Sequence, residues 1–515
     1  MNIIMKKQSK KIILISITGS LITGFLVAII NPGTNPIVGF ITAGLITAAC
    51  LFFLQFTASK LNGNRQLTTA IFLAFFLRLL IGILLVFLLP SFGYDEPYNN
   101  TGYLYLDAYR RDTDAWQLAQ SDAPITNAFQ EEFSTDQYGG LLTLSAGVYR
   151  YLSPDGHRPL LILILTSFFY TFGLPFFWSA VKHRWNEKTA NASAWIYALY
   201  PESIILGASQ MREPILIGLS AIAFWGVTIW DRSKKNSLLA IAASLIAMVF
   251  ISSKAAVAVL AAIALWFWLD HLLEKSSKLI RTLSWVFLIL IICAGIFMGW
   301  NWLVDSSKWD LYLMESASGR IQWELELIGE QYRVPFIITY GLAQPVLPAT
   351  IVYPGIPLTR AVAIFRAVGW YLLIPMMVTG FLLFWKQPDR KNKRVMLLFF
   401  ILILVWIVLS SARAGGDQWD NPRYRSIFLV WMAFTAGWAL METITKHSFW
   451  LWRLLLIEII YTSFFIQWYL SRYYSLFKRM DFWPMIKLLL AIGGVIIAGG
   501  FIFDVGYTKF KERDQ

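Results

Sequence analysis

Residues 68–90 read Thr-Thr-Ala-Ile-Phe-Leu-Ala-Phe-Phe-Leu-Arg-Leu-Leu-Ile-Gly-Ile-Leu-Leu-Val-Phe-Leu-Leu-Pro, an apolar run interrupted by one charge, Arg78. The run exceeds the roughly 20 residues a helix needs to cross the hydrocarbon of a bilayer. Comparable runs lie before it at 12–30 and 37–58 and after it at 159–181, 188–208, 214–230, 237–253, 255–273, 282–303, 361–385, 395–411, 426–445, 449–470 and 485–503. The pattern predicts an all-α polytopic membrane protein of roughly 13–14 transmembrane helices. Composition agrees: 57% of the residues are hydrophobic and 15% charged, which excludes a soluble globular enzyme. The first run leads directly into others, with no cleavage signal and polar domain behind it, so the amino terminus is expected to remain as an anchor. A further apolar piece at 334–352, cut by Pro335, Pro345 and Pro348, reads as a non-spanning or re-entrant segment.

The chain carries 44 Lys+Arg against 31 Asp+Glu, a net +13 placed in short clusters between apolar runs. This distribution points to membrane topology and away from nucleic acid. If every run crosses once, Lys6, Lys7, Lys10 and Lys11, Lys60 with Arg65, Lys182 with Arg184, Arg232 with Lys234 and Lys235, Lys275 with Lys278 and Arg281, and Lys386 to Arg394 share one side. The positive-inside tendency makes that side cytoplasmic; Arg472, Lys478 and Arg479 fall outside and go against it. The expected protein is a multi-pass component of the plasma (inner) membrane with a cytoplasmic amino terminus. Its expected parts are two leading spans in 1–67, a core at 68–303 with a first outer loop at 91–158, a second outer segment at 304–360, and further spans in 361–515. Cys50 and Cys293 sit far apart in apolar runs and suit neither a disulfide framework nor a zinc site.

The outer segments carry the candidate chemistry. Asp95-Glu96 follows the third span, and Asp107-Ala-Tyr-Arg-Arg-Asp112-Thr-Asp114 comes soon after. As a helix, 107–119 places Asp107, Arg111, Asp114 and Leu118 on one face, where Arg111 pairs with Asp107 or Asp114. Either this is a solvated helix with ordinary ion pairs, or one of the acids is a general base at the membrane surface. Gln137 to Leu152 and the mixed stretch from Trp309 through Arg320, Trp323, Glu324, Glu326 and Glu330 suit helices lying at the interface. The turn Gly207 to Pro214 holds Arg212-Glu213, read either as a helix cap or as a contact to an anionic phosphate. Arg423 and Arg425 in the segment 413–425 lie on the outer side against the charge rule, which favours binding, and Lys254 is a further outer cation. Arg78 and Arg366 are intramembrane cations, Arg78 read as structural and Arg366 as able to snorkel.

Several of these motifs, in their order, resemble the polytopic GT-C glycosyltransferases, within them the bacterial relatives of dolichyl-phosphate-mannose protein mannosyltransferases. The resemblance rests on Asp107 with Ala115 and Leu118 after it, although Arg111 stands where the family has an aromatic residue. It rests also on Gln137-Tyr138-Gly139-Gly140, on Asn191-Ala-Ser-Ala-Trp-Ile-Tyr-Ala-Leu-Tyr-Pro201-Glu202, and on Arg212-Glu213. It covers roughly 70–230 and departs from the family in two extra leading spans. It implies an inverting transfer of sugar from a polyprenyl-phosphate-linked donor to a glycan, lipid or protein acceptor on the extracytoplasmic face. The catalytic acid maps onto Asp107, with Asp95-Glu96 as competitor and Asp112 also in reach. Arg212, Glu213, Arg423, Arg425, Lys254 and Arg111 are the expected substrate-binding residues. Outer acids can also hold Mg²⁺ or Mn²⁺ through oxygen, and members of the superfamily differ in metal dependence, so the metal stays open. The alternatives are an oligosaccharide-unit polymerase or ligase, and a flippase or transporter of lipid-linked sugars.

Overall fold

The computed structural model describes residues 2–130, 139–273, 277–280, 282–287 and 332–513, with single positions 290, 297, 327 and 329. Gln137, Tyr138, Lys275, Arg281, Cys293, most of the 282–303 run and the interfacial stretch at 309–330 apart from 327 and 329 lie outside the described residues. Among the described residues the protein is helical without strands, and eleven helices are long and apolar enough to cross a membrane. This is an all-α polytopic membrane protein.

The chain forms two compact units, Met1–Trp268 with Ser426–Val430, and Leu269–Arg425 with Trp431–Gln515. The first unit contains α1 (Asn2–Ile30), α2 (Pro36–Lys60), α3 (Arg65–Phe92), the short α4 (Pro97–Asn100), α5 (Leu106–Gln120) and α6 (Gly140–Leu152). It continues with α7 (Pro159–Arg184), α8 (Glu187–Leu199), α9 (Pro201–Gly207), α10 (Glu213–Thr228), α11 (Lys234–Ile251) and α12 (Ser253–Phe267). At its centre α7 meets α10 backbone to backbone: a Cβ on Gly218 would stand 2.1 Å from the Phe169 carbonyl oxygen, and one on Gly173 2.6 Å from that of Gly218. Small residues allow this approach, and close packing is what joins helices where lipid is as apolar as their side chains.

Two of the expected spans take other forms. The 188–208 run is α8 and α9, parted at Tyr200-Pro201 because a proline ends the helix at the residue before it. The 214–230 run is α10, only 16 residues long. Both still traverse the unit. Asn64 in the α2–α3 turn donates to Glu187 (2.7 Å), Arg184 lies over Trp266, and Trp230 packs edge-on against Phe267, so the loops with Lys60, Arg65, Lys182, Arg184, Arg232, Lys234 and Lys235 share one end. At the opposite end Arg158 binds the α1–α2 loop, and Gly140 at the start of α6 meets Phe250 at the end of α11.

The second unit contains α13 (Arg333–Ala343), α14 (Leu347–Val352), α15 (Pro357–Leu383), α16 (Arg390–Ala414), α17 (Asp420–Arg425), α18 (Leu429–Lys446), α19 (Trp450–Tyr474) and α20 (Phe482–Arg513). The proline-cut piece at 334–352 is the broken pair α13–α14, and neither half is long enough to span. Arg453 binds Asp504 through two bonds of 2.7 and 2.8 Å, and Trp468, Met485 and Leu489 form the α19–α20 contact.

Candidate functional site

The candidate site is assembled on α5 at the end of the first unit away from the basic loops. The helix predicted over 107–119 is present, and its amphipathic sequence explains its setting: Ala108, Arg111, Asp112, Ala115 and Leu118 are buried while Asp107 and Arg110 face outward. Three side chains converge on Asp112, which is 3% exposed. Tyr149 of α6 donates to its Oδ1 at 2.6 Å, Tyr103 donates to Oδ2 at 2.5 Å, and His157 approaches Oδ2 through Nε2 at 2.8 Å. A carboxylate only accepts, so Nε2 carries the proton, and Nδ1 has no hydrogen-bond partner among the described residues. The imidazole is 30% exposed and stacked on Trp116, with ring centroids 5.2 Å apart. Burial first, and then the neighbouring Asp112 charge, push the phenols of Tyr103 and Tyr149 well above their ordinary value, so both remain donors.

α6 is further fastened by Arg150, which donates to the carbonyls of Leu118, Ala119 and Ser121, closing the carbonyl-rich end of α5. Its start is fixed by Gly139, whose φ of 71° is left-handed and where a Cβ would meet the Ala128 carbonyl at 2.5 Å. Arg111 is buried at 5% exposure and donates to the carbonyl of Gln210 in the α9–α10 turn. That turn carries Arg212, 3.7 Å from Glu213, at the head of α10, with Pro214 in its first turn. The first acidic loop and the Arg-Glu turn therefore adjoin.

The remaining candidates are placed differently. Asp95 is exposed and accepts from Asn100 at 3.0 Å, and Glu96 is exposed at the start of α4. Lys254 is exposed in the first turn of α12, whose cap Ser252 follows the Phe250 contact to α6. Arg423 and Arg425, expected on the outer side in a binding role, are both buried in α17 of the second unit. Arg423 pairs with Asp420 at 3.1 Å; Arg425 lies 3.3 Å from the Trp370 ring centroid and donates to Gln344. Arg366 points inward rather than snorkelling, donating to Trp419 O at 2.9 Å and lying over its ring. Arg78 is wholly buried, bound to the carbonyls of Ala74 and Ala198 and to Ser203 Oγ, and stacked on Tyr170. The Ala198 carbonyl lies at the α8–α9 break, so Arg78 supplies a donor where the helix stops doing so.

No group of three or more His, Cys, Asp or Glu suited to hold a metal occurs among the described residues. His157, Tyr103 and Tyr149 escaped the sequence reading; the signal that was present is that His157-Arg158 directly precedes Pro159 at the opening of a span, on the same side as the acids. Chemically, Asp112 and His157 form an oriented proton acceptor, with the exposed Asp107 on the same helix. Compared with known proteins, the chain matches no family model, no curated protein and no solved structure.

Proposed function

We propose that the protein is an inverting glycosyltransferase that moves a sugar from a polyprenyl-phosphate donor to a hydroxyl acceptor at the extracytoplasmic face. The observation that carries this reading is the Arg111–Gln210 bond, which joins the acid-bearing α5 to the Arg212-Glu213 turn at the end of the first unit opposite its basic loops. Basic loops are retained in the cytoplasm, so this end faces outward. Proton acceptors beside a cation suit the reaction: the acceptor loses its proton as it attacks the anomeric carbon, and the departing lipid phosphate needs positive charge. In this scheme Asp107 takes the proton and Arg212, with Lys254 at the rim, receives the phosphate. Such a leaving group requires no nucleotide-binding loop.

The proton acceptor has a second candidate, favoured by one observation: His157 has no partner for Nδ1 among the described residues and is held by a buried carboxylate. Sugar transfer from synthetic polyprenyl-phosphate sugars by the purified protein tests both. Asp107→Asn abolishing turnover while Asp95→Asn and His157→Gln retain it supports the scheme as written. Loss in His157→Gln alone moves the base to the Asp112–His157 pair. A wild-type protein inert with every monophosphate donor, yet polymerising or translocating a diphosphate-linked glycan, overturns the proposal in favour of a polymerase or a flippase.

A further inference from the structure

Beyond the α5 site, the second unit contains a groove of about 480 Å³ between the broken pair α13–α14 and the helices α15 and α19. Its walls are apolar, with Ala343, Pro348, Pro375 and Phe465 among them. Most polar groups on the lining are engaged: Thr339 donates to Pro335 O at 2.8 Å, Tyr461 to Leu489 O at 2.9 Å, and Tyr371 to Ala343 O at 3.5 Å. Glu458 is different. It lines the groove half-buried, and among the described residues its carboxylate has neither a hydrogen bond nor an ion pair. It lies eight residues inside α19, roughly 12 Å along the helix axis at about 1.5 Å per residue. The nearest cation on the same helix, Arg453, is committed to Asp504 by two bonds.

An intramembrane carboxylate is costly and marks a functional position unless a partner neutralises it. Among the described residues none does so, and the groove has the volume of a small-molecule site with one polar anchor. We infer that this groove binds a membrane-dissolved amphiphile bearing a cationic amine, with its hydrocarbon chain along the apolar walls and its ammonium on Glu458. The ammonium supplies the missing charge and N–H donors together, whereas a phosphate-headed lipid is repelled by the same carboxylate. The site is thus separate in chemistry from the proposed donor site, and neither rests on the other.

Equilibrium binding of tritiated dodecylamine, dodecanol and dodecanoate to the full-length protein in nanodiscs tests it. Wild type is expected to bind the amine at least tenfold more tightly than the alcohol and to exclude the carboxylate. Glu458→Gln should erase the amine preference, and Ala343→Trp, which fills the groove, should abolish binding of amine and alcohol alike. Equal binding of amine and alcohol by wild type, which needs no variant, overturns the inference, as does an undiminished amine preference in a folded Glu458→Gln. Alcohol binding that matches the amine and survives Glu458→Gln identifies the groove as a seat for neutral lipid chains.

Discussion

Arg111 and Gln210 stand 99 residues apart in the chain, yet the guanidinium of the first donates to the carbonyl of the second. Gln210 has φ 55°, a left-handed turn conformation that is uncommon for a residue other than glycine. Arg111→Leu leaves that acceptor unsatisfied in a buried place, at a cost of about 1–3 kcal/mol. The midpoint of thermal unfolding in detergent, followed by tryptophan fluorescence, should fall; an unchanged midpoint would mean that the two loops are held by other contacts. If the α5 site is a transferase, turnover should fall further than stability does, because α5 loses its register against Arg212.

The Asp112 hub makes an alkaline prediction. Folded Tyr103 and Tyr149 have pKa values raised above the unfolded value, so their contribution is complete below about pH 10 and is lost as pH rises towards the folded values. In that window the unfolded chain releases protons that the native one keeps, and stability declines by about 1.4 kcal/mol per pH unit per tyrosine. The Tyr103→Phe/Tyr149→Phe variant should show a shallower alkaline decline, and tyrosinate absorbance should show two fewer late-titrating phenols in the variant than in the wild type.

Arg158 makes six bonds, to the carbonyls of Asn31, Pro32 and Asn35, to Ser153 Oγ and to both oxygens of Asp155. Arg158→Lys retains the charge but has only three donors and no planar fork. Protease cleavage in the 31–35 loop should accelerate while the rest of the chain stays resistant. The hydrogen bonds from Arg158 hold the Asp155 carboxyl below its ordinary value of 3.8, so this contribution is present above that pH and is lost as pH falls through the lower folded value. Cleavage of the wild-type loop should therefore rise only in acid, and an acid-resistant protease such as pepsin can report it.

Two glycines of α6 should respond in opposite directions to alanine. A Cβ on Gly140 would lie 2.2 Å from the Phe250 carbonyl oxygen, whereas one on Gly147 would meet nothing within 4 Å. Gly140→Ala should destabilise by pushing α6 off α11. Gly147→Ala should stabilise by roughly 0.5–1 kcal/mol, the usual gain of replacing glycine in a helix interior. A parallel thermal-shift measurement separates them, and a common sign would contradict the packing described.

The apolar runs announced most of the helices because membrane insertion is written in continuous hydrophobicity, a local property. Tyr200-Pro201 was visible too, but a run counted by hydropathy conceals a break that costs it no apolar residue. Leu106–Gln120 followed from its own periodicity. What Arg111 binds did not: spacing offered Asp107 and Asp114 one turn away, while Gln210 comes near only once α9 has folded back. Asp112 was one acid among five in sequence, and its distinction arises from Tyr103, Tyr149 and His157, each contributed by a separate piece of chain. The surroundings of Arg423 and Arg425 were hidden for a related reason: the topology rule speaks of the side of the membrane, whereas their contacts with Asp420, Trp370 and the Gln344 carbonyl arise only in the folded second unit.

The Arg158 clasp also sets an order of events at the ribosome. Its bonds reach back to Asn31 and Pro32, 127 and 126 residues earlier. At a synthesis rate of roughly 5–20 residues per second, the α1–α2 hairpin has emerged about 6–25 s before its latch exists. During that interval it sits in the bilayer as an independent hairpin, held by its own helix–helix contact, and any quality-control protease surveying the nascent chain meets an open 31–35 loop.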